Sequence, residues 1–254
     1  MGKLLKTAQK HFADDMVRAR ALRAHASAQP TGTLKDDVLR AALMMAVGAC
    51  DAYFCDAFAD VISRVLRAKD LEPKVSIPDR LNRLKLPVVA ILRQKVGGWR
   101  WRMAARELIE DESVLSLDKI RGLFNQFFDK GQKVISQDTI GSWIEHPHAK
   151  SRLFGVTAAK YHAANKSRKD AYHKSGMEQF EARFAVTFQR RHDCIHNCDR
   201  PRTKPQSIDQ VEVEKRTEDI EFLVLRFHDA LKQAFPAYLE RLGFSAKIRN
   251  QVCM

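Results

Sequence analysis

The chain has 254 residues, 45% apolar and 30% charged, which suits one large or two small globular domains with a real core. Its few Gly and Pro, against abundant Ala, Leu, Arg, Lys and Glu, argue against a turn-rich sandwich or barrel and for helices. The net charge of +13 favours a polyanionic partner (nucleic acid, anionic membrane or acidic protein) without choosing among them.

Residues 1–29 are expected to be helical, with Leu4, Leu5, Phe12, Met16 and Leu22 as apolar points. Gln29-Pro30-Thr31-Gly32-Thr33 breaks the pattern, and Thr33 is the expected N-cap of the next helix, with Asp36 and Asp37 suiting its first turn. That helix is long, from about Lys35 to Lys69. Leu39, Leu43, Val47, Cys50, Phe54, Phe58, Ile62 and Leu66 repeat at helical spacing along it. Residues 79–96 and Trp99–Ile109 are shorter helices either side of Gly97-Gly98, and Ser116–Phe128 is another. Residues 129–150, with Gly131, Gly141 and Pro147, read as a variable insertion, and Lys160–Lys174 as a basic stretch. Met177–Ile195 is the second strong helix, on a stripe of Phe180, Phe184, Phe188 and Ile195. After an Asn197–Pro205 loop, Ser207 to Tyr238 is the third, carried by Ile208, Val211, Ile220, Leu223, Leu231 and Phe235.

The expected architecture is therefore an all-α bundle: a helical extension over 1–30, a helical domain over 31–240 with an insertion at about 95–170, and a tail over 241–254. Five cysteines without framework spacing read as reduced thiols. The first twelve residues lack the apolar run of a signal peptide, and no stretch reaches ~18 consecutive apolar residues. The expectation is a cytoplasmic protein that does not engage a membrane.

One residue does not belong where the pattern puts it. Arg191 falls between Phe188 and Ile195, in the middle of an apolar stripe. A guanidinium keeps its charge, so it needs a carboxylate or a wet cleft. Asp51, beside Val47, Phe54 and Phe58, is equally awkward, and an Arg191–Asp51 pair is the simplest mutual solution. Around Arg191 stand Arg190, His192, Asp193, His196 and Asn197, with Arg200, Arg202 and Lys204 in the following loop. Histidine suits proton transfer near neutral pH, and a guanidinium fork grips phosphate. Those are the parts that metal-free RNA cleavage requires. Gly97-Gly98-Trp99-Arg100-Trp101-Arg102 could stack bases and hold phosphates, or pack a helix and solvate it. The alternation His192, Cys194, His196, Cys198 fits no usual zinc spacing, and no metal or other cofactor is expected.

Arg191-His192-Asp193-Cys194-Ile195-His196, at the end of a helix and before a basic loop, resembles the R-x(4–6)-H motif of the HEPN superfamily. Residues 39–58, LRAALMMAVGACDAYFCDAF, resemble the first core helix of the ribonuclease LS-associated (RiboL-PSP-HEPN-like) group, with Asp51 at its acidic position. The resemblance covers about 35–70 and 175–235. It implies a bundle that dimerises, with two motifs meeting in a composite, metal-independent endoribonuclease site. His196 would then be the general acid or base, Arg191 the phosphate holder, and His192, Asp193 and Asp51 contributors. Family members serve as toxins, defence effectors and RNA-processing factors, and a toxin would bring a neutralising partner protein. Some members only bind RNA or a protein. A basic DNA-binding protein is a third class, disfavoured because no helix-turn-helix spacing stands out. In a continuous helix Arg191 and His196 diverge by about 140°, so the expectation is that the helix ends near Cys194 or that the two meet across a dimer.

Overall fold

The computed structural model describes residues 4–82, 99–110, 114–129, 131, 133–200 and 203–254. Among these the chain is all helical, with no strand. In chain order the helices are α1 (Lys6–Ser27), α2 (Thr33–Leu71), α3 (Asp79–Asn82), α4 (Trp99–Glu110), α5 (Leu117–Phe124), α6 (Gln137–Ile144), α7 (Ser151–Phe154), α8 (Ala158–His162), α9 (Lys166–Asn197), α10 (Gln210–Arg241) and α11 (Ala246–Cys253). A short 3-10 turn, Asn125–Phe127, follows α5.

α2 is the axis of the bundle. All eight residues of its apolar stripe, Leu39 to Leu66, are buried, because α1, α4, α9, α10 and α11 all pack against it. Its composition alone would pass for a membrane span, but 56% of the relevant 18-residue window is buried inside the molecule. Both chain ends join this core: Leu5, Phe12 and Met16 from the N-terminal side, and Ile248 and Val252 from α11. Tyr53, Phe54, Phe124, Phe127 and Phe227 interlock edge to face at its centre, the arrangement that ring quadrupoles favour. His228 sits beside Tyr53 and shares a hydrogen bond with it at 3.2 Å, and burial pushes its pKa down.

Three expectations need correction. The N-cap of α2 is Gly32, and Thr33 is already helical without a side-chain cap. The segment 129–150 is not merely irregular. α6 lies within it, and Trp143 packs on Phe180 and Phe222 in a second aromatic core that α6 and α7 complete over α9. Gly141 is there for close approach: a Cβ would lie 2.6 Å from His173 Nε2 and 2.7 Å from the Tyr161 hydroxyl. Ile195 and Val211 are exposed, because the stripes of α9 and α10 outrun the core at that end. The basic stretch is split between α8 and a start of α9 at Lys166, where Asn165 caps by accepting from the Arg168 N–H. The proposed helix over 79–96 is described only as α3, and Leu84, Val88, Leu92 and Gly97-Gly98 lie outside the described residues.

Candidate functional site

The site is built on the last three turns of α9 and on the loop after it. α9 runs unbroken through Asn197 and closes at Cys198, whose N–H, like that of Asp199, returns to the Asp193 carbonyl. The helix therefore does not end near Cys194. Cys198 and Asp199 both take positive φ, 47° and 59°, a conformation that side-chain-bearing residues adopt at a cost. What holds them there is Asp199 itself. It is fully buried, and its Oδ2 accepts from Arg40 Nε at 2.6 Å and from Arg190 Nη2 at 2.7 Å. Arg40 also donates to the Gln206 carbonyl, and Arg190 to the Ser207 carbonyl. The Gln206 N–H donates to the Asp199 carbonyl. The far end of the loop is thereby latched to α2 and α9.

Asp193 belongs to the same latch. It is buried, and its two oxygens accept from Gln189 Nε2 at 2.8 Å and Gln206 Nε2 at 3.1 Å. Arg190, expected at the RNA surface, is turned inward to Asp199 because a buried carboxylate demands a cation. Asp199 itself escaped the sequence reading. The cue was available: it is the one acid besides Asp193 between Arg190 and Lys204.

Arg191 is in a different situation. With His192 it lines an open cleft of about 530 Å³ between α9 and the start of α5, together with Leu115, Ser116, Leu117, Asp118, Arg121, Glu181, Ala185, Phe188 and Gln189. Among the described residues it makes no ion pair, and the expected Arg191–Asp51 bridge is not formed. Asp51 instead accepts the Val114 N–H at 2.8 Å. Burial raises the Asp51 pKa, while that hydrogen bond and the charges of Arg191 and Lys119 oppose the rise. The two groups share a neighbourhood and feel each other without touching. Of the two solutions open to a buried-stripe arginine, the wet cleft is the one adopted.

His192 continues the cleft toward the helix end. Its ring lies 4.4 Å from that of His196, centroid to centroid, and both are exposed. Because the helix is continuous, Arg191 and His196 of one chain point about 140° apart. Cys194 falls on yet another side, so the His–Cys alternation does not converge. Asn197, Arg200 and Lys204 are exposed. Arg202 lies outside the described residues, as does the side chain of Arg100. Arg102 is turned against α2, within 3.5 Å of Asp56 and 3.8 Å of Asp60, so its charge serves the bundle. Cys50 and Cys55 are covered, and burial pushes both thiols up, that of Cys55 to about 12, which keeps them protonated and unreactive.

No family model, no curated protein and no solved structure matches this chain.

Proposed function

We propose that this protein is a HEPN-type, metal-independent endoribonuclease whose working surface is Arg191, His192 and His196. The observation that carries the proposal is the end of α9: a cleft-lining arginine without an ion-pair partner among the described residues, next to His192, whose ring meets that of the exposed His196 further round the helix. A solvent-facing guanidinium can hold a phosphodiester through two N–H bonds. One histidine removes the proton of the ribose 2′-hydroxyl, whose oxygen attacks phosphorus. A second acid protonates the departing 5′-oxygen, leaving a cyclic phosphate and a 5′-hydroxyl.

His196 is assigned the principal acid–base role, His192 the second, and Arg191 the phosphate. The buried, doubly hydrogen-bonded Asp193 and the Arg190–Asp199 latch position them. Asp51 holds the segment leading into α5 by accepting from the Val114 N–H. The divergence of Arg191 and His196 on one helix favours a composite site, with Arg191 of one copy working beside His196 of the other. A protein with this surface could be a toxin or a defence effector, with a neutralising partner.

The test is cleavage of mixed RNA by purified protein in EDTA, wild type beside His196→Ala. Cutting by wild type alone, with cyclic-phosphate ends, supports the proposal. Abolition by EDTA overturns it. If neither protein cuts while both bind RNA equally, the surface is a binding module.

A further inference from the structure

Resting on the assignment of Arg191 to phosphate, we infer that the cleft between α5 and α9 is a nucleotide seat beside the scissile phosphate, and that it selects guanine. The cleft's volume of about 530 Å³ lies within the ~300–1,000 Å³ of small-ligand sites, so a single nucleotide fits. Its two ends differ in charge. Arg191 and His192 stand at one end. At the other, Glu181 and Asp118 are both held by Arg121, with Glu181 at 2.5 Å. Arg121 is occupied by these two carboxylates and faces the Ile135 carbonyl as well, so it has little left to offer a phosphate. Leu115, Leu117 and Phe188 add apolar surface to the lining.

This polarity orients a guest. Phosphate is drawn to Arg191 and repelled by the carboxylate end. Glu181 and Arg191 are ten residues apart, about 15 Å along the helix axis, and both line the one cleft. The apolar part of the lining suits the face of a base. The far end then meets the base edge, and carboxylate oxygens only accept hydrogen bonds. Single-stranded RNA exposes its Watson–Crick edges to such contacts. Guanine presents two adjacent N–H donors there, N1–H and the 2-amino group, which one carboxylate can take together. Adenine and cytosine present one amino group beside an acceptor, and uracil one imino N–H between two carbonyls.

The experiment is calorimetric titration of the full-length wild-type protein, in EDTA, with GMP, AMP, CMP, UMP and inorganic phosphate, repeated on Glu181→Gln and Ala185→Trp. GMP should bind at least about tenfold tighter than the other three nucleotides, the scale of one bidentate base contact. Glu181→Gln should erase that preference while leaving phosphate binding unchanged. Ala185→Trp, a change at an exposed helical position that fills the cleft, should abolish nucleotide binding with an unaltered melting temperature. Equal binding of the four nucleotides, or none tighter than phosphate, overturns the seat. GMP selectivity without RNA cleavage would keep the seat and remove the ribonuclease, whereas cleavage without GMP selectivity would do the reverse.

Discussion

Arg190 and Arg191 are neighbours in the chain and opposite in circumstance. Arg190 is locked onto a fully buried carboxylate and two loop carbonyls. Arg191, rotated by about 100° on the same helix, lines an open cleft and has no ion-pair partner among the described residues. The same side chain is structural where a buried acid faces it and available for chemistry where water does. A buried charge is justified by its partner, while an unpaired one in a cleft is justified by a guest.

The two arginines should respond differently to truncation. Arg190→Ala should cost about 1.5–3 kcal/mol of stability in urea unfolding, the scale of a hydrogen bond to a charged group, since the buried Asp199 loses one of its two cations and keeps Arg40. Arg191→Ala should stay within about 1 kcal/mol of wild type while losing RNA cleavage. His196→Ala should reduce cleavage by about 10²–10⁴-fold, the range for one general acid or base, with an unchanged unfolding midpoint. If Arg191→Ala unfolds the protein as readily as Arg190→Ala does, Arg191 is a structural residue too.

A smaller effect concerns the carboxylate that Arg191 does not bridge. Burial holds the Asp51 carboxyl above its ordinary range, so the folded chain retains a proton there that the unfolded chain has already released. The associated stability is full at low pH and is lost as pH rises through the raised folded value. Asp51→Asn keeps an acceptor for the Val114 N–H and removes the titration. Its stability relative to wild type should therefore improve from pH 3 to pH 7, by up to about 1.4 kcal/mol for a tenfold change in the carboxyl's proton affinity. Unfolding curves at the two pH values check this, and a relative loss would mean that Asp51 is held as a paired anion after all.

Much of the bundle was legible because its signals are local. The stripe from Leu39 to Leu66 repeats often enough that its period declares both the helix and its buried face. α6 was illegible for the opposite reason. Two turns carry only Ile140, Trp143 and Ile144, and Gly141 reads as a breaker until His173 and Tyr161 are seen pressing on it. At the site, the helical wheel brought out Arg191 and the shared face of His192 and His196. It left Arg191 two solutions, because a wheel gives direction and not distance: Asp51 lies in the right quarter yet bonds Val114. The Arg40–Asp199–Arg190 latch was beyond reach. Arg40 and Asp199 are 159 positions apart, and a contact of that span is a property of the packed fold alone. Reading Asp193 as catalytic and Arg190 as RNA-facing followed from the same lack of depth, since both stand in the motif and only burial separates them from Arg191 and His196.

The composite site makes the most direct test. Arg191→Ala and His196→Ala proteins, each inactive alone, would be mixed in equal amounts, allowed to exchange subunits, and assayed for RNA cleavage. Random pairing makes half the dimers mixed, and each mixed dimer carries one intact site of two, so about a quarter of wild-type activity should return. A mixture as inactive as its components, while wild-type protein cuts, would contradict a site shared between two copies of this chain.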